Sequence, residues 1–192
     1  MAAATSSPEV FISYQWDRQT EVKALYAALV ARGWRCWLDI LQMGGGDSLY
    51  EKIDAGVRGS HVVISCVTAK YALSANCRRE VSLADALRKP IIPLLLEESA
   101  WPPAGPMALV FTQLLYIKAR GVVGKDAGQG KWEGSVLDEL QHKLQAHVSQ
   151  EDKSDTQRAA PPTTPPPEGS AEEIRDVTTR QRQSKSGLCT LL

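Results

Sequence analysis

The chain has 192 residues, with 22 basic and 22 acidic side chains and a formal net charge of zero. This length allows one domain of ordinary size and a tail. The balanced charge provides no basic field that would favour nucleic acid as a partner. The four cysteines form no CxxC pair, which argues against a zinc site or a disulfide framework and suits a reducing compartment. No apolar run reaches the roughly 18 residues that a membrane span needs, so we expect a cytoplasmic protein.

Apolar runs alternate with helical patterns along residues 9–148. Strands are predicted at 10–14, 34–38, 62–67, 90–96 and 113–117. Helices are predicted after the potential caps Asp17, Asp47 or Ser48, and Ser74 or Asn76, with a last amphipathic helix at 136–148. This alternation predicts an α/β domain with a flavodoxin-like parallel five-stranded sheet, in the order 2-1-3-4-5, and helices on both faces. The prolines of the fourth strand should place it at an edge or limit its pairing near its start.

The composition changes abruptly near residue 149. Residues 1–8 are small and polar, and we predict a flexible N-terminus there, followed by the folded domain at 9–148. Within residues 149–192, the run PPTTPPPEGSAEE at 161–173 is rich in Pro, Glu, Ser and Thr with almost nothing apolar. Such a segment cannot bury a core, so we predict a disordered Pro-rich tail.

The last four residues, Cys189-Thr-Leu-Leu192, fit the CaaX pattern for prenylation, and a terminal leucine favours a geranylgeranyl group. Arg180, Arg182 and Lys185 add a modest attraction to an anionic leaflet. We expect lipidation at Cys189 to hold the protein reversibly at the inner face of a membrane. A chance match to the pattern is the alternative.

The stretch from His61 to Leu87 carries the strongest functional pattern. A strand that reads as buried on both faces leads through a polar loop into a helix, and ligands of open α/β sheets bind at this carboxyl end of the strands. Glu80 lies in the first turns of that helix beside Arg78 and Arg79, which we expect to help keep it ionised. An ordinary solvated glutamate is the alternative interpretation.

Five separated segments of the chain together resemble a TIR (Toll/interleukin-1 receptor) domain. They are PEVFISYQWD at 8–17, WRCWLDILQMGGGDSLYEKI at 34–53, VVISCVT at 62–68, REVSLADAL at 79–87 and KPIIPLLLE at 89–97. The resemblance covers residues 8–148 and implies the same flavodoxin-like fold. It also implies one of two functions, because some TIR domains only assemble signalling complexes and others cleave the nicotinamide–ribose bond of NAD+. The catalytic glutamate of the cleaving members lies on the helix after the third strand, and the matching residue is Glu80.

The chemistry of that bond explains why one carboxylate can suffice. Cleavage passes through an oxocarbenium-like ribose, which a fixed carboxylate near the sugar stabilises. Nicotinamide leaves NAD+ as a neutral molecule, so no general acid is obligatory. We therefore expect NAD+ as a substrate and Glu80 as the catalytic carboxylate, with no cofactor and no metal.

The glycines Gly44, Gly45 and Gly46 match the BB loop of TIR domains, which closes over the site and meets neighbouring domains. Consecutive glycines also let backbone N–H groups converge on a pyrophosphate. We favour a mobile loop that contacts partners over a rigid phosphate cradle.

Further candidate substrate-binding residues follow from the same comparison. Gln15 and Trp16 stand where animal NAD+-cleaving members carry basic residues, and Leu49 or Tyr50 stands where they place a phenylalanine against the base. An aromatic face at Trp16 or Tyr50 suits stacking on nicotinamide or adenine. Simple packing is the alternative for Trp16 and the favoured interpretation for Tyr50. Tyr14 and Cys77 complete the predicted substrate-binding set.

These features favour a membrane-tethered TIR signalling protein that self-assembles, possessing NAD+ hydrolase activity. The alternative is a non-catalytic adaptor of innate-immune type that recruits other TIR domains through its BB loop and exposed helices. In either case we expect TIR–TIR association. The resemblance leaves its geometry open, although TIR domains often stack head-to-tail, an open arrangement that can make filaments. A phospho-receiver is disfavoured, because Ser13-Tyr14-Gln15 stands where its acidic pair belongs.

Overall fold

Five short parallel strands form one sheet at the centre of the domain. The computed structural model describes residues 8–42, 48–120, 132 and 134–158, the last ten of these as backbone only. The strand order is β2-β1-β3-β4-β5 and every pair is parallel, which confirms the predicted fold class and order. The strands are β1 (Val10–Ser13), β2 (Cys36–Trp37), β3 (Val62–Val67), β4 (Ile91–Leu95) and β5 (Ile117–Lys118).

Helices cover both faces of this sheet. One face packs against α1 and α7, and the other packs against α3, α4, α5 and α6. A short α2 follows β2, and a single 3-10 turn at Trp16–Arg18 precedes α1. The helices are α1 (Gln19–Ala31), α2 (Asp39–Gln42), α3 (Leu49–Gly59), α4 (Ala69–Leu73), α5 (Ala75–Ala86), α6 (Ala108–Phe111) and α7 (Ser135–Arg158).

The three inner strands are buried along their whole length, as expected for a parallel sheet covered on both sides. Side chains alternate between the faces, so Ile12 and Ile64 belong to the core under α1 and α7. Their neighbours Phe11 and Val63 belong to the core under the opposite helices. The sheet therefore separates two hydrophobic cores and holds the carboxyl ends of its strands in a fixed row.

Helix α3 approaches the sheet closely at Gly56. A Cβ atom at this position would lie 2.6 Å from Cε2 of Trp37, well inside normal contact. The Trp37 indole is stacked on the ring of Phe11, with centroids 4.5 Å apart. Glycine at 56 lets α3 reach this depth and brings Leu49 and Ile53 to the carboxyl edge of the sheet.

The structure differs from the sequence prediction in several elements. The helices α2, α4 and α6 were not predicted, because one-turn helices are too short to show a period of 3.6 residues. The fifth strand was predicted at 113–117 and instead occupies Ile117–Lys118, since the chain after α6 first makes a turn in which the Leu114 N–H bonds the Phe111 carbonyl. The strand β4 is not an edge, because it lies between β3 and β5.

The predicted domain boundary between 148 and 149 falls inside a helix. Helix α7 continues to Arg158, because Glu, Lys, Gln and Arg beyond 148 are good helix formers and extending an existing helix is easier than starting one. The disordered tail was predicted to begin at residue 149, and this is wrong for residues 149–158, which are helical. The remainder of that tail, 159–192, and residues 1–7 of the predicted flexible N-terminus at 1–8 lie outside the described residues. None of the helices described is both long and apolar enough to cross a membrane.

Candidate functional site

A pocket of about 270 Å³ opens at the carboxyl ends of β1 and β2, against the first turns of α3 and α5. Side chains from four segments of the chain line this pocket, which is the position where ligands bind in open α/β sheets. Its lining residues are Tyr14, Gln15, Trp16, Asp39, Leu49, Ile53, Ser74, Asn76, Cys77 and Glu80.

Helix α5 carries Glu80 into this pocket. The helix begins after Ser74, whose hydroxyl accepts a hydrogen bond from the Cys77 N–H at 3.3 Å, so one of the two predicted caps is confirmed. Cys77, Val81 and Ala84 are buried against the sheet. Glu80 follows Cys77 by three residues, at the border of this buried stripe, and is therefore half-buried rather than solvated.

Two buried hydroxyls hold the Glu80 carboxylate. Ser13 Oγ, at the end of β1, donates to Glu80 Oε2 at 2.6 Å. The Tyr71 hydroxyl of α4 lies 2.7 Å from the same Ser13 oxygen. Ser13 and Tyr71 are 1% and 0% exposed, so the sequence prediction of a fixed carboxylate at the rim of the sheet has a structural basis.

Burial raises the pKa of Glu80 to about 7, the Ser13 hydrogen bond opposes this rise, and the Asp39 carboxylate adds to it. The expectation that Arg78 and Arg79 keep Glu80 ionised is wrong. Arg79 turns away from it and donates to the Tyr50 hydroxyl at 3.2 Å and to Asn76 Oδ1 at 2.9 Å. Consecutive residues of a helix point in different directions, and proximity in sequence does not place their charges together.

A second carboxylate, that of Asp39, lies in the same pocket. Its Oδ2 accepts a hydrogen bond from Trp16 Nε1 at 3.1 Å, and its Oδ1 accepts one from the Ile40 N–H at 2.6 Å. Trp16 is 59% exposed, so this indole is not a core residue. Its ring is held at the mouth of the pocket by the carboxylate.

Tyr14 and Cys77 form the floor of the pocket. The Cys77 thiol donates to the Tyr14 carbonyl oxygen at 3.4 Å, and burial raises its pKa to about 12, so the thiol stays neutral. The Tyr14 hydroxyl is buried and faces the side chains of Asp39 and Gln19. Burial and the nearby Asp39 carboxylate raise the pKa of Tyr14, so its O–H keeps its proton.

A second groove of about 330 Å³ adjoins the pocket and shares Ile53, Asn76 and Glu80 with it. Tyr50 and Arg79 line this groove, with the guanidinium carbon 5.5 Å from the centroid of the Tyr50 ring. Tyr50 is 57% exposed, so the prediction that it is a packing residue is wrong.

The structure therefore brings most of the predicted site residues together. Those that line the pocket are Tyr14, Gln15, Trp16, Leu49, Cys77 and Glu80, and Tyr50 lines the adjoining groove. Gln15 also caps the 3-10 turn, since its side-chain oxygen accepts from the Asp17 N–H at 2.8 Å. Gly44, Gly45, Gly46 and Cys189 lie outside the described residues, and their roles stay predictions.

Sequence reasoning missed the polar residues Ser13, Asp39, Tyr71 and Asn76. A usable signal existed for two of them, because Ser13 ends the first strand and Asp39 lies two residues after the end of the second, and these strand ends meet at one edge. No such signal exists for Tyr71, because the helix α4 that positions it has only about one turn and shows no helical period in the sequence. Among the described residues, no group of three His, Cys, Asp or Glu side chains has the geometry to hold a metal ion.

The family model that matches this chain is that of the TIR domain, over residues 10–133. A curated protein of Brachypodium distachyon, named "Probable 2' cyclic ADP-D-ribose synthase BdTIR", is 33% identical over 98 residues, which are 50% of this chain and 44% of that protein. The chain thus aligns with less than half of this relative.

Solved structures give more distant similarities. The TIR domain of the Toll-related receptor TRR-2 from Hydra magnipapillata is 20% identical, with a TM-score of 0.49 over 57% of this chain and 82% of that one. A prokaryotic SEFIR domain is 22% identical, with a TM-score of 0.48 over 66% of this chain and all of that one.

Proposed function

We propose that this chain, which belongs to the TIR domain family, cleaves the nicotinamide–ribose bond of NAD+ with Glu80 as its catalytic carboxylate. The observation that carries the proposal is the half-buried Glu80 carboxylate, fixed by Ser13 in a pocket at the carboxyl edge of the sheet. A glutamate that was merely solvated would have neither the pocket nor the buried hydrogen bond.

The environment of Glu80 suits a reaction that develops positive charge. Burial removes water from the carboxylate and raises its pKa to about 7, so Glu80 exchanges its proton near neutral pH. A poorly hydrated carboxylate interacts strongly with a cation in a medium of low dielectric constant. The oxocarbenium-like ribose would therefore be stabilised by the ionised form of Glu80, and water would then attack the sugar carbon after nicotinamide leaves.

The size of the pocket limits how much of a ligand it can hold. A volume of about 270 Å³ is at the small end of the roughly 300–1,000 Å³ typical of ligand sites, and holds part of a dinucleotide rather than the whole. We assign the nicotinamide and its ribose to the pocket, with Trp16 as the stacking surface and the Tyr14 hydroxyl as a donor. The diphosphate and adenosine would extend into the adjoining groove, towards the Arg79 guanidinium.

The product is tested together with the reaction. The name of the Brachypodium relative makes 2′ cyclic ADP-D-ribose a product to look for beside ADP-ribose. Water as the attacking group yields ADP-ribose, whereas a hydroxyl of the substrate itself yields a cyclic product. Mass spectrometry of the reaction mixture separates these outcomes.

Self-association is the second part of the proposal. Four large apolar side chains in the segments that line the site, or next to them in sequence, are more than half exposed, namely Trp16, Leu41, Tyr50 and Leu73. Exposed apolar side chains of this kind, here called the apolar rim, favour contact with another protein surface. The prediction that a lipid at Cys189 concentrates the chains on a membrane remains open, since that residue is not described.

The same rim favours a second candidate function, that of a non-catalytic TIR scaffold. Leu109 and Leu115 are also more than four-fifths exposed, at a distance from the pocket, and add further docking surface. In this function Glu80 would be a structural residue and the pocket would bind no NAD+. The two functions predict opposite results in one assay.

The discriminating experiment places the full chain at high density on lipid vesicles and measures nicotinamide released from NAD+. The proposal expects release by the wild type and none by Glu80→Ala, with both proteins folded by circular dichroism. A folded, clustered wild type that releases no nicotinamide leaves the scaffold as the function.

A further inference from the structure

The two oxygens of the Glu80 carboxylate have different surroundings. Ser13 Oγ donates to Oε2 at 2.6 Å, a distance typical of a hydroxyl that bonds an ionised carboxylate. No hydrogen bond reaches Oε1 from the residues that the structure describes. One oxygen is thus committed to the protein, and the other remains for a ligand in the pocket.

The proton positions in this group follow from the chemistry of its members. An ionised carboxylate only accepts hydrogen bonds, so the single Ser13 proton points to Glu80. The Tyr71 hydroxyl, 2.7 Å from Ser13 Oγ, must then donate to Ser13. Burial raises the pKa of Tyr71 well above its ordinary value, which keeps its proton in place. A relay of two O–H donors therefore ends at Glu80, and each bond polarises the next.

We propose that Ser13 and Tyr71 are positioning residues that hold one oxygen of Glu80 and direct the other at the substrate ribose. This inference rests on the function proposed above, because it gives these two hydroxyls a role only if Glu80 acts on a substrate. Neither residue lines the pocket itself, and each would act through Glu80 alone.

The fold explains why such a relay is rigid. Its members come from three separate elements, the end of β1, the first turn of α4 and the second turn of α5. Tyr71 is locked at its backbone, where its N–H donates to the Thr68 side chain that caps α4, at 3.0 Å. Since Ser13 and Tyr71 are inaccessible to water, no solvent molecule competes for their hydrogen bonds.

Other groups also face the Glu80 carboxyl and must be considered in a titration. Asp39 from α2 raises the pKa of Glu80, whereas the Cys77 thiol of its own helix and the Tyr71 phenol are kept neutral by burial. Asp54 of α3 shares the adjoining groove. The Ser13 hydrogen bond is the contribution that lowers the pKa of Glu80. Removal of the relay should therefore raise this pKa.

The test combines a titration of Glu80 with steady-state kinetics on the full chain. The Glu80 side-chain carboxyl is observed by carbon-13 NMR and assigned from its loss in Glu80→Gln. Ser13→Ala should raise the pKa of Glu80 by about one to two pH units, the range expected when a charged acceptor loses its donor. Tyr71→Phe should shift it in the same direction by less, because Ser13 remains.

Steady-state kinetics at two pH values distinguish a positioning role of Ser13 from a merely structural one. In Ser13→Ala, kcat at pH 7 should fall about tenfold or more and recover in part at pH 9, with KM changed less than about threefold. Ser13→Thr keeps the hydroxyl and should restore the titration of Glu80.

Ser99→Ala is the control. The hydroxyl of Ser99 is buried, has no hydrogen-bond partner among the described residues, and follows β4 outside the pocket. Its removal should move neither the titration nor the activity.

The outcomes separate this inference from the function on which it rests. A wild type that releases no nicotinamide overturns the proposed function, and with it the purpose of the relay. An active wild type in which folded Ser13→Ala leaves the titration of Glu80 unchanged overturns the relay alone. An equal loss of activity at pH 7 and pH 9 in Ser13→Ala also overturns it, because that pattern indicates structural damage.

Discussion

Asp39 and Glu80 are two carboxylates that line one pocket, and the charge of Asp39 raises the pKa of Glu80. They arrive there from different layers of the fold, Asp39 just after β2 and Glu80 from α5. Their roles differ accordingly. Asp39 accepts hydrogen bonds from Trp16 and from the backbone, whereas Glu80 is the carboxylate with an oxygen left for the substrate.

This pair predicts the pH dependence of NAD+ cleavage. If the ionised form of Glu80 acts, kcat/KM should rise with pH and level off above an apparent pKa of about 7. Asp39→Asn removes a nearby negative charge, which makes ionisation of Glu80 easier, so the rising limb should move to lower pH. Nicotinamide release is measured from pH 5 to 9 at NAD+ concentrations far below KM. A limb that moves upward in Asp39→Asn contradicts this electrostatic assignment.

The raised pKa of Glu80 also predicts how stability depends on pH. The folded state holds the Glu80 proton up to about pH 7, while an unfolded chain releases it near 4.5, so this group makes folding less favourable as the pH rises between these values. Glu80→Gln removes the effect. The free energy of unfolding of Glu80→Gln, measured relative to that of the wild type, should therefore increase by about 2 to 3 kcal/mol from pH 4.5 to pH 8. Urea denaturation at both pH values measures this, and a constant difference would contradict it.

The close approach of Gly56 to Trp37 predicts a sharp effect of one methyl group. Gly56→Ala would place its Cβ about 2.6 Å from the indole, and relief requires movement of α3 or of the Phe11–Trp37 stack. We expect a free energy of unfolding lower by about 1 to 3 kcal/mol. Gly59→Ala on the same helix is the control, because its Cβ meets only Pro8, at 3.7 Å. Its stability should stay equal or rise slightly, and equal losses in both variants would contradict the packing argument.

Trp16 at the mouth of the pocket predicts a change in substrate affinity. Trp16→Ala should raise the KM for NAD+ about tenfold, since stacking between a base and an aromatic ring contributes roughly 1 to 3 kcal/mol. Trp16→Phe keeps a ring but loses the hydrogen bond to Asp39, so its KM should rise less. Leu115→Ala removes an even more exposed apolar side chain that does not line the pocket. A similar KM increase in Leu115→Ala would point to loss of self-association instead of stacking.

The sequence predicted the sheet order because long buried strands and amphipathic helices leave strong local patterns. Each of these elements carries its apolar pattern within its own sequence, as in the runs that begin at Val62 and Ile91 and the helical spacing of Val22, Leu25 and Leu29. The structure buries these residues in the two cores. Elements of one turn leave no such period, so α2, α4 and α6 were missed. The end of α7 was misplaced because composition indicates the absence of a core and says little about local helix formation.

The candidate site also combines residues that the sequence predicts with residues that only the three-dimensional structure brings together. Glu80 and its aromatic neighbours were predicted from their resemblance to a family and from their place after a central strand. The Ser13–Tyr71 relay joins residues 58 positions apart, and no local pattern links a strand-end serine to a tyrosine in a short helix. The sign of the Glu80 pKa shift was also missed, because the directions of Arg78 and Arg79 depend on the three-dimensional packing of α5.

The most direct measurement compares nicotinamide release from NAD+ by the clustered full chain and two variants that exchange a carboxylate for an amide on the same helix. Glu80→Gln preserves the size of the side chain in the pocket and removes its charge, whereas Asp85→Asn makes the equivalent change at an exposed position outside the pocket. The account predicts wild-type release in Asp85→Asn and a loss of at least about a hundredfold in Glu80→Gln. Equal release by Glu80→Gln and the wild type would contradict it.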